Sequence, residues 1–356
     1  MSRPLPRPLA DPLRSLLRRG RAWLGASHYG ARLAAEVSRF RDDIEVHALP
    51  PIYHYWSDRY VRPKLETFGF SHPDAFFLTY IEECCVRAAS SADCSKRIIS
   101  LGAGNCDTEV RLARALLDRG RSDFVIECLD LNDAMLDRGR AHAADQGVGA
   151  HVMPVRGDFN AWRPDKPYDC IIANHSLHHV LALEHLFTGV ADGLAAHGRF
   201  VVSDMIGRNG HQRWPEALAI VREFWSELPT SYRYNRQLQR QEEEFLNWDC
   251  SISGFEGIRA QDILPLLVDR FAFDIFIGFG NVIDPFVDRS FGPNFSTDSE
   301  WDKAFIDRVH ARDEAEMAAG RIKPTHMLAV MRPGRAEDQM PDRGTSTPRA
   351  AIRSPD

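Results

Sequence analysis

The residues best placed to do chemistry stand in one run, Ser100-Leu101-Gly102-Ala103-Gly104-Asn105-Cys106-Asp107, which follows an apolar, β-rich stretch and precedes a helical pattern. Glycines at a strand-to-helix turn let a ligand approach the backbone closely, and the N–H groups that open the helix favour negative or polar groups. A dinucleotide turn reads G-x-G-x-x-G/A, because a small third residue sits under the pyrophosphate. Asp107 holds that third position here. A carboxylate there repels a pyrophosphate, whereas it would cap the helix or meet a ligand ammonium group.

Three further pieces follow in order. The run Cys128-Leu129-Asp130 ends a second β-rich stretch on an acidic residue, which suits two hydrogen bonds from ribose hydroxyls. The plain alternative is a helix cap, a role that Asn132 or Asp133 would fill equally well. Arg156-Gly157-Asp158-Phe159-Asn160 then places an Asp, a partner for the exocyclic amine of adenine, beside an aromatic ring that would pack on its face. Last comes Tyr168-Asp169-Cys170-Ile171-Ile172-Ala173-Asn174-His175-Ser176-Leu177-His178-His179-Val180.

Taken together, this series resembles the class I S-adenosylmethionine-dependent methyltransferases, from about Lys96 to Asp204. The resemblance implies that S-adenosylmethionine is the cofactor, with Gly102, Ala103, Gly104, Asn105 and Asp107 around its methionine part. It likewise implies Asp130 and Leu131 at the ribose, Asp158 and Phe159 at adenine, and Asn174 and His175 beside the transferred methyl. Two positions depart from the family pattern: Ser100 stands where an acidic residue is frequent, and Cys106 where a third glycine is frequent. Asp107 is the residue expected to compensate. Neither the Pro-Pro-Tyr or Pro-Pro-Phe of enzymes resembling adenine amino-methyltransferases nor a Pro-Cys nucleophile follows the fourth strand, so DNA is not the expected acceptor.

Methyl transfer from a sulfonium is an in-line displacement to which proximity contributes much, and a hydroxyl acceptor adds the need for a base. His179 and His175 are the candidates for base or for substrate positioning, against the plainer alternative that they cap or pack a helix. Tyr53, Tyr55 and Trp56 form either a lid that excludes water or a hydrophobic seam. Arg59, Arg62 and Lys64 would hold an anionic acceptor or simply face solvent. No Cys/His cluster shows metal-ligand spacing, so no metal is expected.

The elements that must position these residues follow from periodicity. Strands are predicted at Arg97–Leu101, Phe124–Leu129, Val152–Val155, Cys170–Ala173 and Arg199–Ser203, alternating with helical segments. That pattern gives an α/β fold, a doubly wound, mostly parallel sheet. The resemblance implies seven strands with the last antiparallel, for which the segments near Phe273 and Met327 are candidates. Five regions result: a basic extension over 1–40, a helical cover over 41–95, the cofactor core over 96–204, acceptor-side helices and final strands over 205–332, and a disordered tail over 333–356. Within the fourth region a helical insertion precedes the last strands, and the polar run Gln237 to Glu244 reads as a solvated helix face.

Composition bounds the rest. With 44% hydrophobic and 26% charged residues the chain is globular, and a net charge of −6 gives no general attraction to nucleic acid. Seven cysteines without CxxC spacing fit reduced, mostly buried thiols in a cytoplasmic protein. The arm from Arg3 to Trp23 interleaves arginines with Leu13, Leu16, Leu17 and Trp23, a basic amphipathic pattern suited to weak membrane-surface contact or to a packed surface helix. The expected activity is therefore O- or N-methylation of a small molecule or saccharide. A non-catalytic cofactor-binding module and a nicotinamide-dependent oxidoreductase are the alternatives.

Overall fold

The computed structural model describes residues 29, 30, 32, 48–88, 96–252, 254–335 and 343–354. The basic arm and Cys94 lie outside the described residues. Cys84, Cys85, Cys106, Cys128 and Cys170 are buried free thiols, and Cys250 is half-buried. No described helix is long and apolar enough to cross a membrane.

Helices α1 (Pro51–Trp56) and α2 (Arg62–Glu66), joined through one π-turn at Ser57–Val61, lead to α3 (Pro73–Ala88). The core then alternates β1 (Lys96–Leu101), α4 (Asp107–Asp118), β2 (Phe124–Asp130), α5 (Asp133–Asp145), β3 (Val152–Arg156), β4 (Tyr168–Asn174), α6 (Leu183–Gly193) and β5 (Leu194–Met205). Next come α7 (Pro215–Glu227), a hairpin of β6 (Tyr234–Asn235) and β7 (Arg240–Gln241), α8 (Ala260–Arg270), β8 (Phe271–Phe279), α9 (Glu300–Ala318), β9 (His326–Pro333) and β10 (Arg343–Gly344). In space the large sheet runs β10-β8-β9-β5-β4-β1-β2-β3. β1 to β5 are mutually parallel, and β9 is antiparallel to both β5 and β8. Seven full strands are thus extended by a two-residue eighth.

Alternation along the strands sends successive side chains to opposite faces. Ile98, Ile126, Cys170 and Ile172 face α3, α4 and α5, where Ile81, Cys84, Leu112 and Leu116 complete one core. Ile99, Leu101, Ile171 and Phe200 face α6 and α8, meeting Leu186, Phe187, Ile263 and Leu267 in a second. A third cluster, outside the sheet, packs α1 with α7 and α9 through Trp56, Phe224, Phe286 and Phe305. Local signals end the core helices. Gly120, at φ +76°, takes the left-handed position after α4. Asn132 caps α5 by accepting from the N–H groups of Ala134 and Met135.

Two expectations are corrected. The polar run from Gln237 is no helix face: the Asn235 side chain accepts from the N–H groups of Gln237 and Leu238, which turns the chain into the β6–β7 hairpin. Nor is the tail disordered throughout. Residues 343–354 pack on the domain: β10 pairs with β8, Ala351 is buried, and Arg353 binds Glu216 at 2.8 Å while its guanidinium stacks over Trp214. A composition poor in bulky apolar residues concealed contacts that depend on backbone pairing and one arginine.

Strand order reverses between β1 and β4, and the crevice at the carboxyl ends of such strands is where open α/β sheets bind ligands. The turns after β1 and β4, which hold the residues singled out above, meet there.

Candidate active site

The turn after β1 is held by backbone bonds: the N–H groups of Gly102 and Ala103 donate to the carbonyl of Leu129 at 2.9 and 3.1 Å. Gly102 and Gly104 have φ of +75° and +55°, and Cys106 adopts +59° at the start of α4. A Cβ on Gly102 would lie 2.6 Å from Ser176 Cβ, so only glycine fits against the turn that follows β4. Ser176 fixes that contact by donating from Oγ to the Leu101 carbonyl at 2.6 Å.

Asp130, at the end of β2, accepts from Gly104 N at 2.9 Å and from Asn132 N at 2.8 Å, one N–H on each oxygen. Each carboxylate oxygen keeps a further lone pair, which is what two ribose hydroxyls require. Burial raises the Asp130 pKa, while those backbone donors and the nearby His179 oppose the rise. Asp158 is more fully engaged. Its carboxylate accepts from the Asn160 N–H and side chain at 2.8 and 3.1 Å, and from the hydroxyl of Tyr29 on the N-terminal segment. Phe159 is buried beneath the turn, 3.7 Å from the Cβ position of Gly102. Asn105 accepts from Arg138, and Asn174 donates to Thr108, so both brace the loop. Leu131 and Asp107 are half-buried at its rim.

Ser100, where the family pattern often has an acid, has a carboxyl as its partner. Glu109, in the first turn of α4, reaches back to accept from Ser100 Oγ at 2.6 Å, and burial pushes its pKa up to about 7 against the lowering effect of that bond. Asp107, the residue expected to compensate for Ser100, is half-buried two residues before Glu109 in the same helical turn.

The histidines gather differently from the expectation. His175 is exposed, with φ of +51°, and His179 is half-buried. His178, which was not selected, is the organised one. Its Nδ1 lies 2.6 Å from Asp204 Oδ1 near the end of β5, and Asp204 Oδ2 accepts from Ser176 N and Leu177 N. Burial disfavours charge on His178, but Asp204 and Glu256 outweigh it and raise its pKa to about 10. Glu256 brings in two other rings: His211 Nε2 lies 2.8 Å from Oε1, and His179 Nε2 lies 3.7 Å from Oε2. Asp204, the last residue of the stretch that carries the resemblance, was not singled out in the sequence. His211 and Glu256 come from loops far along the chain, and no spacing announces them.

The aromatics of α1 engage α9. Tyr55 donates to Asp307 at 2.9 Å and Trp56 Nε1 to His310 at 3.2 Å, both on α9, while Tyr53 packs against Trp56. Arg59 and Lys64 pair with Asp307 and Glu314 on the same helix, and Arg62 with Asp58. This places the segment in an interhelical seam.

Comparison with known proteins meets this geometry at the same residues: 98–198 match the family model described as a methyltransferase domain. Those residues are a class I S-adenosylmethionine-dependent methyltransferase domain. The chain is 33% identical over 102 residues to a trans-aconitate 2-methyltransferase of Streptomyces coelicolor, covering 29% of this chain and 32% of that protein. It is 24% identical over 181 residues to a ubiquinone/menaquinone biosynthesis C-methyltransferase of Serratia proteamaculans, covering 47% and 70%. A methyltransferase structure from Mesorhizobium loti aligns with TM-score 0.28 and 26% identity over 37% of this chain and 56% of that one. The chain thus spans about a third of the first of these curated relatives, and the likeness lies in the methyltransferase domain. The bare glycine turn and the half-satisfied Asp130 fit S-adenosylmethionine, the methyl donor of that family.

Proposed function

We propose that the chain methylates an oxygen or nitrogen of a small molecule or saccharide. The observation that carries the reading is the shared wall between the two turns. Ser176 touches the glycine turn on one side, and its N–H is held by Asp204 on the other, so the donor turn and the histidine–carboxylate cluster are built as one unit.

When bound, S-adenosylmethionine supplies an electrophilic methyl on sulfur. The chain's own part is to hold the donor through Gly102, Gly104, Asp130 and Asp158 and to orient an acceptor lone pair along the S–CH₃ bond. His179, whose ring approaches both Asp130 and Glu256, is the candidate to take the acceptor's proton. Asp204 orients His178, and Glu256 ties His178, His179 and His211 into one block; these are positioning roles. An oxygen acceptor uses this block most fully, since a hydroxyl must lose a proton as it is methylated.

The test is calorimetric titration of S-adenosylmethionine and S-adenosylhomocysteine into the full chain and into Asp130→Ala, followed by labelled-methyl transfer to panels of hydroxylated and amine acceptors. Binding to the intact chain that is lost in the variant, with turnover on a member of the panel, supports the reading. No binding of either compound overturns it, and binding without turnover on any acceptor favours the non-catalytic module.

A further inference from the structure

The cluster beyond the donor turn has a second property, in that its side chains converge on a point as metal ligands do. One ring nitrogen each of His178 and His211 and a Glu256 carboxylate oxygen all lie within 4.8 Å of one another. His178 Nε2 is 3.5 Å from Glu256 Oε1, and His211 Nε2 is 2.8 Å from the same oxygen. Ligands at about 2.0–2.2 Å from a tetrahedral zinc sit roughly 3.4 Å apart. Of the three pairs, His178–Glu256 already matches this, His211–Glu256 opens with a modest turn of the Glu256 side chain, and the two imidazoles lie within 4.8 Å of each other.

The surroundings are those of a built site. A metal-binding imidazole usually donates its other nitrogen to a carboxylate, which fixes tautomer and ring plane. His178 does so through Nδ1 to Asp204, whose two oxygens also take the N–H groups of Ser176, Leu177 and Met205. Nε2 is thereby aimed at Glu256. His211 is held at φ +55°, a costly conformation for a residue with a side chain, and strained backbone persists where the surrounding structure enforces it. The enforcement is visible. Gly210 N donates to Gly257 O at 2.8 Å, a Cβ on Gly257 would come within 3.0 Å of the Gly210 and His211 nitrogens, and Arg213 holds the His211 carbonyl at 3.0 Å. Two glycines thus allow the loops carrying His211 and Glu256 to meet.

We propose that His178, His211 and Glu256 bind one divalent transition-metal cation of borderline softness, zinc(II) or a neighbour in the series, with Asp204 as the orienting carboxylate. Two imidazoles and one carboxylate are a donor set for such ions, and three protein ligands leave coordination positions open to oxygen. If the proposed methyl transfer holds, an acceptor oxygen fills one of those positions. The cation site itself does not depend on that reading.

The experiment uses the full chain stripped with chelator, reloaded with zinc chloride and freed of excess by gel filtration, with metal then counted by mass spectrometry. The expected result is one zinc per chain in the parent, none retained in His211→Ala or Glu256→Gln, and affinity about tenfold or more weaker in Asp204→Asn. Asp130→Ala, outside the cluster, retains its zinc even if donor binding is gone, which separates failure of this site from failure of the methyltransferase reading. Cobalt(II) loading of the parent alone gives a spectrum sensitive to imidazole ligands, so the outcome stands even if a variant misfolds. A parent chain that retains no zinc and shows no imidazole-bound cobalt spectrum, or folded variants that load like the parent, overturns the proposal.

Discussion

Ser100 Oγ donates to Glu109 Oε1 across 2.6 Å, and both residues are almost wholly buried. A carboxyl on the helix thus meets a hydroxyl on the strand at the start of the glycine turn. Because burial pushes the Glu109 pKa up to about 7, the folded chain holds a proton there that the unfolded chain releases near pH 4.5. The sign follows: the group favours folding at low pH, and that contribution is lost as pH rises between those values. Glu109→Gln should therefore gain in stability relative to the parent from pH 5 to pH 8, by up to about 3 kcal/mol. Thermal melts of both proteins across that range check it, and a difference that does not vary with pH is evidence against a raised pKa.

The hydroxyl of Tyr29 occupies an oxygen of Asp158, the carboxylate expected to meet adenine. Removing that competitor in Tyr29→Phe should tighten S-adenosylhomocysteine binding about fivefold, the worth of roughly one hydrogen bond. Weaker binding in this variant would mean that Tyr29 serves the ligand and does not compete with it.

Gly102→Ala places a methyl group 2.6 Å from Ser176 Cβ, at a φ that side chains rarely adopt. The expected cost is about 2 kcal/mol of stability, together with loss of donor binding, because the turns after β1 and β4 must separate. Denaturant melts and calorimetry report the two effects separately.

Asp284 accepts from Arg213 at 2.6 Å and from Thr325 at 2.8 Å, with His326 at 3.1 Å. Burial alone would raise its pKa, but His326 and Arg213 hold it far below the usual carboxylate range. Its stabilising contribution is present above about pH 4 and is lost as pH falls below that value. Asp284→Asn should cost about 3 kcal/mol at pH 7, since it leaves a buried guanidinium unpaired, and the gap should narrow in acid. Melts at pH 7 and pH 3 distinguish this from a loss that is the same at both.

The parallel core was legible because each strand is a short apolar run and each turn after it carries a glycine or an acid, so chemistry and periodicity coincide from Lys96 to Asp204. The residues expected to hold the cofactor fall within that stretch. The histidine–carboxylate cluster was not legible for the opposite reason. His211 and Glu256 are single polar residues in loops, brought to His178 by Gly210, Gly257 and the hydrogen bonds of Asp204, none of which has a sequence period. His175 and His179 drew notice by proximity to β4, while the backbone turn directs His178 inward. Tyr29 and the hairpin after α7 were missed alike, because each depends on one side-chain hydrogen bond to a distant partner or to a turn.

The short pairing of β10 bears on how this protein behaves in a crowd of its own copies. β8 reads Phe-Ala-Phe-Asp-Ile-Phe-Ile-Gly-Phe and would otherwise form the open border of the sheet. Residues 343–345 lie along its middle, with Thr345 donating to the Phe276 carbonyl and accepting from the Gly278 N–H, both at 3.0 Å. An unpaired border of that composition is a template for strand addition by another molecule. Residues 343–345 thus act as a selvedge: shortening the protein after Pro333 should leave the methyl-donor crevice intact and yet promote edge-to-edge self-association, read as a rise in apparent mass by light scattering.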